Sequence, residues 1–466
     1  SSNTAFQGVL ERAVGAGLLS PERHKALEKK LAVNTCDAKG GICAFHGTGN
    51  SSRDVTAGLG LVHPALELLV EPPTQEQVDA AVKALFRMFT DPACSVAELV
   101  RANIANAIRL HSAGGGSSNL VMHIVGAMMY AGYDFSLYDM EAILAEHPVP
   151  DLFDYSLTEG RDIFVLAAQC CAGQIRGMET LMYELVRCGV PMDLDAPTAA
   201  GRTWRERLAD ERGLPASGVK DNPIILDRPR RAFSGVDVLR GNFFESAVVK
   251  ISGMPTRQLD HFDEKAAFVL YFENEDAANR ALLDVRLLER LRDARVFPAE
   301  AMIAMAFVNA GPEAADAAAL RAMPYEALFD LMIEREWMRL AAVIAGQGPE
   351  AFGMPEMFTP MQHINASRRL RRLTTLISDG RYSGVTYGAA VGHVVPEAIR
   401  DGSLLYLRDG DVLWLRFRAR RIDWLDAEKF AAIAREPAAR AQLSEMQADA
   451  AAMRTQRRAL ADERLG

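Results

Sequence analysis

Four short stretches gather residue types that could do chemistry. The first is Gly40-Gly41-Ile42-Cys43-Ala44-Phe45-His46-Gly47-Thr48-Gly49-Asn50-Ser51-Ser52. A thiol at Cys43, on backbone freed by glycines, suits a soft metal ligand or the close approach of an anion or cluster. Cys36 lies seven positions before Cys43, which is not the spacing of a zinc pair. The second is Gly114-Gly115-Gly116-Ser117-Ser118-Asn119, just before a helical pattern. Free N–H groups and the positive end of a helix dipole there favour a carboxylate or phosphate, and the hydroxyls add donors. The third, Gly353-Met354-Pro355-Glu356-Met357, sets a carboxylate on a proline-stiffened turn, a fit ligand for a hard cation such as Mg²⁺. The fourth runs from Ser378 to Gly388 after a β-rich run, where α/β proteins place reactive loops, and carries Arg381 and Ser383. Each stretch alone also reads as an ordinary turn or helix cap. Ser383 is not in a Gly-x-Ser-x-Gly elbow and no Ser-His-Asp order is evident, so a hydrolase triad is poorly supported. His123 and His393 read as core histidines, Cys170-Cys171 as packing residues, and Met122, Met128 and Met129 as core.

The elements that must position these groups differ along the chain. Up to about residue 220 the pattern is helical. Ser20-Pro21 starts a helix, Thr74 with Gln77 and Ser136 with Asp139 form capping boxes, and Ser95 opens a helix that runs to about His111. A further helix is expected from about Ser117, and residues 181–190 keep helical spacing. The segment DNPIILDRPRRAFSG, from Asp221, has prolines and charges without a period and reads as a linker. Beyond it strands are expected at 247–252, 266–272 and 373–378, with a hairpin turning at Asp409-Gly410. After Asp426 helical spacing returns.

Composition bounds the partners. The chain has 466 residues, half of them hydrophobic (49%) and 24% charged, which excludes overall disorder. A net charge of −9 argues against a nucleic-acid duplex or an anionic membrane as main partner. Six scattered cysteines fit a reduced, cytoplasmic chain better than a disulfide scaffold. No basic region followed by an apolar core marks the N-terminus as a secretory signal, and the apolar run Leu120 to Gly132 is too short to span a bilayer.

In their order, the stretches resemble the dihydroxy-acid dehydratase / phosphogluconate dehydratase family, which includes the sugar-acid dehydratases. That family carries G-x-C then T-A-N, and this chain has Gly41-Ile42-Cys43 then Thr48-Gly49-Asn50. It carries G-G-S-T-N-x-x-x-H, and here Gly115-Gly116-Ser117-Ser118-Asn119 is followed by His123. Its D-N-P-I, L-R-G-N and A-V-V-K-I-S-G are met at Asp221 to Ile224, Leu239 to Asn242 and Ala247 to Gly253. Gly353 to Met357 match G-M-P-E-M, Asp379 to Gly388 resemble D-G-R-F-S-G-G-T-x-G, and Gly392 to Ala398 match G-H-V-x-P-E-A.

The resemblance implies a hydro-lyase that converts a 2,3-dihydroxy carboxylate, a sugar acid by preference, into a 2-keto-3-deoxy acid. It implies an Fe–S cluster of the 2Fe–2S kind held by three cysteines, with Cys43 the last of them, and Mg²⁺ with Glu356 as a ligand. Ser383 would be the catalytic base, with Ser117, Ser118, Asn119 and Arg381 binding substrate. A homodimer or homotetramer is implied, with no nucleic-acid or membrane partner. The fold implied is α/β: an N-terminal α/β layered domain, truncated, over residues 1–225, and a C-terminal β-barrel-like domain flanked by helices over residues 226–466. The family's first two cluster cysteines and its C-D-K motif lie well before the G-x-C loop. Cys36-Asp37-Ala38-Lys39 sits almost against Cys43 and is not taken as that motif. The chain as given therefore reads as N-terminally incomplete, or as a member without cluster or Mg²⁺ that works as a binding or regulatory protein.

Overall fold

The computed structural model describes residues 2–34, 43, 46–66, 72–155, 161–209, 223–233, 235–251, 254–314, 316–382, 388–399 and 401–465. Capping chemistry sets the helices of the first part. Thr74 and Gln77 close a capping box on the helix Gln75–Thr90, and Ser136 and Asp139 close another on Leu137–Glu146. Ser95 caps Val96–Gly114, and Gly115 ends that helix in the left-handed conformation, with φ at 63°. The next helix starts at Asn119 and ends at Tyr130, two residues later than the pattern suggests, because Ser117 and Ser118 are spent in the turn. Before residue 236 the described residues hold helices and isolated bridges but no strand.

The eight strands among the described residues belong to one sheet: β1 Val236–Leu239, β2 Ser246–Lys250, β3 Lys265–Phe272, β4 Leu340–Ile344, β5 Thr374–Ser378, β6 Ala390–Val395, β7 Val412–Arg416 and β8 Arg421–Leu425. Their order is β1-β2-β6-β5-β4-β3-β7-β8. The four central strands β6, β5, β4 and β3 are parallel, and antiparallel pairs flank them. A bridge between Arg240 and Arg421 brings the two edges together, with Arg240 N donating to Arg420 O at 3.0 Å and Ile422 N to Arg240 O at 3.0 Å. The sheet is thus nearly closed into a barrel, which removes most of the exposed edge. Alternation divides its faces. Leu239, Val249, Val269, Val343, Ile377, Val391, Leu413 and Trp424, one from each strand, share a single interior cluster. Phe268, Leu340, Leu376 and Val412 face outward onto helices of the second part, including Ala299–Ala310. Val236, Val238 and Val248 pack instead on the helices of the first part.

Two expected features fall differently. The hairpin turns at residues 417–420, between β7 and β8, and not at Asp409-Gly410. The run Ser403–Tyr406 is a short 3₁₀ helix with Leu404 and Tyr406 buried in the barrel interior, so its apolar residues mark a plug rather than a strand. Asp409-Gly410 is a turn that docks on β3, with the Asp409 carboxylate accepting from Tyr271 N at 2.7 Å and Gly410 N donating to Val269 O at 3.0 Å. The expected linker, from residue 223 on, is a docked strap: Ile224 and Ile225 are fully buried, and Arg231 pairs with Asp151. Asp221 and Asn222 lie outside the described residues.

The helix Thr48–Gly58, which carries Thr48, Asn50 and Ser51, packs closely on Val96–Gly114. A Cβ on Gly58 would lie 2.6 Å from the Ala107 Cα. Alanine is worth up to about 1 kcal/mol over glycine in a helix, but overpacking against backbone costs ~1–3 kcal/mol. Gly58→Ala is therefore expected to be destabilising by about 1 kcal/mol or more in urea unfolding. A gain in stability would mean that the two helices do not touch this closely.

Candidate functional site

The candidate site lies at the carboxyl ends of the parallel strands, the edge at which open α/β sheets present ligands. After β5, Asp379 ties three loops together. Its carboxylate accepts from Gln347 N after β4 at 2.9 Å and from Ala398 N after β6 at 2.7 Å. Burial pushes its pKa up, opposed by these backbone hydrogen bonds. The Glu356 turn is fixed against the same loop. Glu356 and Arg381 form an isolated parallel bridge, Arg381 Nε donates to Met354 O at 2.7 Å, and Met357 N donates to Arg381 O at 2.9 Å.

From the helical part comes the turn at Gly115–Asn119. The Ser51 hydroxyl donates to Gly47 O at 2.6 Å and accepts from Ser117 N at 2.8 Å, which locks this turn to the loop that follows Cys43. The hydroxyls of Ser117 and Thr48 lie 3.0 Å apart. Asn119 Nδ2 donates to Thr48 Oγ1 at 2.8 Å and also to Glu356 Oε1. Two stretches 237 residues apart in sequence thus meet side chain to side chain. The Asn119 Oδ1 is buried and has no hydrogen-bond partner among the described residues. The neighbouring hydroxyl, Ser118 Oγ, donates to Tyr382 O at 2.6 Å, accepts from Tyr382 N at 3.1 Å and lies 3.2 Å from His393 Nε2.

Burial governs the electrostatics here. Lys250, on β2, is buried, and burial pulls its ammonium down to about 7, with the charge of Glu356 opposing. Burial also holds His111 and His393 at about 3, so both are neutral at physiological pH. His111 Nε2 lies 3.0 Å from Ser117 O.

Of the residues singled out in the sequence, Ser117, Asn119 and Glu356 come together, Arg381 adjoins them through the bridge, and Ser118 is bound to Tyr382. Cys43 is exposed, and its carbonyl accepts from Asn50 Nδ2 at 2.6 Å. Ser383 and Cys36 lie outside the described residues. His393 is buried as expected, but it serves the Ser118 contact. His123 is exposed, as is Met129, because the helix Asn119–Tyr130 buries the stripe Leu120, Val121, Ile124 and Met128 and turns these two outward. Cys171 is exposed as well, so it is not a packing residue. Lys250 is a candidate-site residue not singled out beforehand, and Thr48 was named only as part of the first stretch. A lone lysine in the buried strand Ser246–Lys250 was the available signal for Lys250.

The implied cofactors can be tested against these donors. Cys43 is exposed, while Cys94 is buried beside Asp91 and Cys170, Cys171 and Cys188 belong to the ends of other helices. Among the described residues no three His, Cys, Asp or Glu side chains are grouped so as to hold a metal ion. Glu356 meets an amide, Asn119, and the nearby charge is the Lys250 ammonium. The described donors therefore do not fit a three-thiolate cluster or a protein cage for Mg²⁺. Among them, no helix is long and apolar enough to cross a membrane.

A nearly closed mixed sheet, with a helical part that lays a Ser-Ser-Asn turn across the ends of its parallel strands, defines a two-part α/β protein with an interdomain cleft. The chain belongs to the dihydroxy-acid/6-phosphogluconate dehydratase family: the family's N-terminal model matches residues 4–207 and its C-terminal model residues 224–463. It is similar to the dihydroxy-acid dehydratase of Caldanaerobacter subterraneus subsp. tengcongensis, at 28% identity over 436 residues, 90% of this chain and 63% of that protein. The dihydroxy-acid dehydratases of Aquifex aeolicus (26% identity, 91% of this chain, 64% of that protein) and Nitratidesulfovibrio vulgaris (29%, 85% and 60%) are similar too. The chain thus spans less than two thirds of the length of these relatives.

Proposed function

We propose that the protein is a hydro-lyase that removes water from a 2,3-dihydroxy carboxylate, with a sugar acid (an aldonate) as substrate and a 2-keto-3-deoxy acid as product. The observation that carries this reading is the meeting of Asn119 with Glu356 across the two parts of the chain. The similar proteins carry the name dihydroxy-acid dehydratase, which gives the reaction class. In the balanced reaction a base takes the C2 proton, the C3 hydroxyl leaves with its bonding pair and a proton as water, and the resulting enol becomes the 2-keto acid. A polyol acid suits the polar groups present. The buried Asn119 Oδ1 would accept from one substrate hydroxyl, and the Glu356 carboxylate has lone pairs for another. Ser383 is the base in this reading, and Arg381 and Ser117 contact substrate. A serine hydroxyl is far too weak an acid to ionise at neutral pH without positive charge nearby, and Lys250 and Arg381 are described cations of the cleft. Two domains, 1–225 and 226–466, in a cytoplasmic homodimer or homotetramer complete the reading.

A second reading, a cluster-free member that binds a sugar acid or regulates, is favoured by the scattered thiols among the described residues. Full-length protein, purified anaerobically, separates the two. Incubated with a panel of aldonates and branched 2,3-dihydroxy acids, it is expected to release a 2-keto acid, detected as the semicarbazone, fastest from an aldonate. No 2-keto acid from any member of the panel overturns the hydro-lyase reading. Stoichiometric iron and sulfide in the same preparation removes the second one.

A further inference from the structure

We propose that Ser118 and His393 are positioning residues that clamp Tyr382, and with it the adjoining Arg381, in register with the Asn119–Glu356 pair. The inference deepens the functional reading above and rests on it where Arg381 contacts substrate.

The argument is one of hydrogen-bonding capacity. A serine hydroxyl has one proton and two lone pairs. Ser118 gives its proton to Tyr382 O at 2.6 Å and accepts the Tyr382 N–H at 3.1 Å. Its second lone pair faces His393 Nε2 at 3.2 Å. With the serine proton spent on the carbonyl, the imidazole must carry its hydrogen on Nε2, a tautomer assigned from this network. The hydroxyl is then saturated and has no hydrogen-bonding capacity left for a substrate. A second backbone bond, Ser118 N to Tyr382 O at 3.2 Å, reinforces the clamp.

The placement of His393 supports a dedicated role. Its φ is 55°, in the left-handed region that a non-glycine residue in a strand rarely adopts. That backbone lets its N–H reach Gly380 O at 2.8 Å while the ring turns toward Ser118. The two adjacent residues of one helix start thus serve two loops: Ser118 holds the loop after β5, and Asn119 holds the Glu356 turn after β4. Their spacing along the chain fixes the distance between those loops.

The test uses the full-length protein and its best acid substrate. Ser118→Ala and His393→Leu are each expected to lower kcat about 30-fold with KM within about twofold, and their combination to lower it little further, because the two side chains act as one unit. His393→Gln, which keeps an N–H donor, is expected to restore most of kcat. Amide hydrogen exchange at Tyr382 supplies a readout independent of turnover, expected to accelerate at least tenfold in both Ser118→Ala and His393→Leu. Faster exchange with unchanged kcat would overturn the positioning role and leave mere adhesion. Unchanged exchange would overturn the clamp itself. A wild-type protein inactive on every acid would overturn the functional reading and the catalytic half of this inference, and the exchange data would then judge the clamp alone.

Discussion

Replacing Glu356 with glutamine is expected to lower turnover by about a thousandfold and leave the protein folded. Glutamine keeps the size of the side chain and an oxygen that accepts from Asn119 Nδ2, so the contact between the two parts of the chain survives. What disappears is the negative charge. Burial already pulls the Lys250 ammonium down to about 7, and the Glu356 carboxylate is the influence that opposes it. Without that carboxylate the pKa of Lys250 falls further, and the lysine is neutral at physiological pH. One substitution therefore removes both charges from a cleft in which each counts for more than it would in water. The measurement is 2-keto acid release alongside thermal melting. Turnover within tenfold of wild type, in a protein that melts normally, would make Glu356 a bystander and remove the centre of the proposed site.

Much of this arrangement was legible in the sequence, and the parts that were not have identifiable causes. Local rules found what local forces decide. Thr74, Ser95 and Ser136 cap helices where their side chains say they should, since a cap needs only three or four neighbouring residues. The strands around 247–252, 266–272 and 373–378 stood out because their apolar runs are β-branched or aromatic. β4, with the sequence LAAVI inside an alanine-rich stretch, carries no such mark, because a parallel strand buried on both faces has no alternation to show. Ser403–Tyr406 gave the opposite error, since apolar spacing reports burial and says nothing of whether the burial is in a sheet or in a plug. At the site, Ser117, Asn119 and Glu356 were found by motif. The pairing of Ser118 with His393 spans 275 positions and has no local trace. Lys250 was visible as a charge in a buried strand, but its counter-charge was not.

Removing the charge of Asp151 is expected to be a costly change to stability outside the hydrophobic cores. The strap that leads from the helical part into β1 is held there by ions. Asp151 accepts from Arg231 Nη2 at 2.5 Å and Nε at 3.0 Å, and from Arg230 Nη2 at 3.0 Å. Backbone bonds reinforce this, Asp151 N to Arg231 O at 3.1 Å and Arg230 N to Asp151 O at 2.9 Å. Arg231 also donates from Nη1 to Met254 O at 3.0 Å, which fastens the strap to the chain beyond β2. Both Asp151 and Arg231 are buried, and burial lowers the pKa of Arg231 against the pull of Asp151. Taking away one partner of such a pair leaves an uncompensated charge in low dielectric, at a cost of ~3–5 kcal/mol. Asp151→Asn should therefore shift the urea unfolding midpoint markedly. The paired replacement Asp151→Leu with Arg231→Met should recover part of the loss, because it removes the stranded charge along with its partner. The consequence reaches toward the site, since the strap leads into β1, whose partner strand β2 carries Lys250. At temperatures where Asp151→Asn remains folded, kcat should fall far less than stability does, because no atom of Asp151 touches the cleft residues. A midpoint shift worth under about 1 kcal/mol would mean that solvent already reaches this pair, and that other contacts between the two parts, such as Arg240 with Glu141 and Ser112 Oγ to Val236 O, suffice to fasten them together.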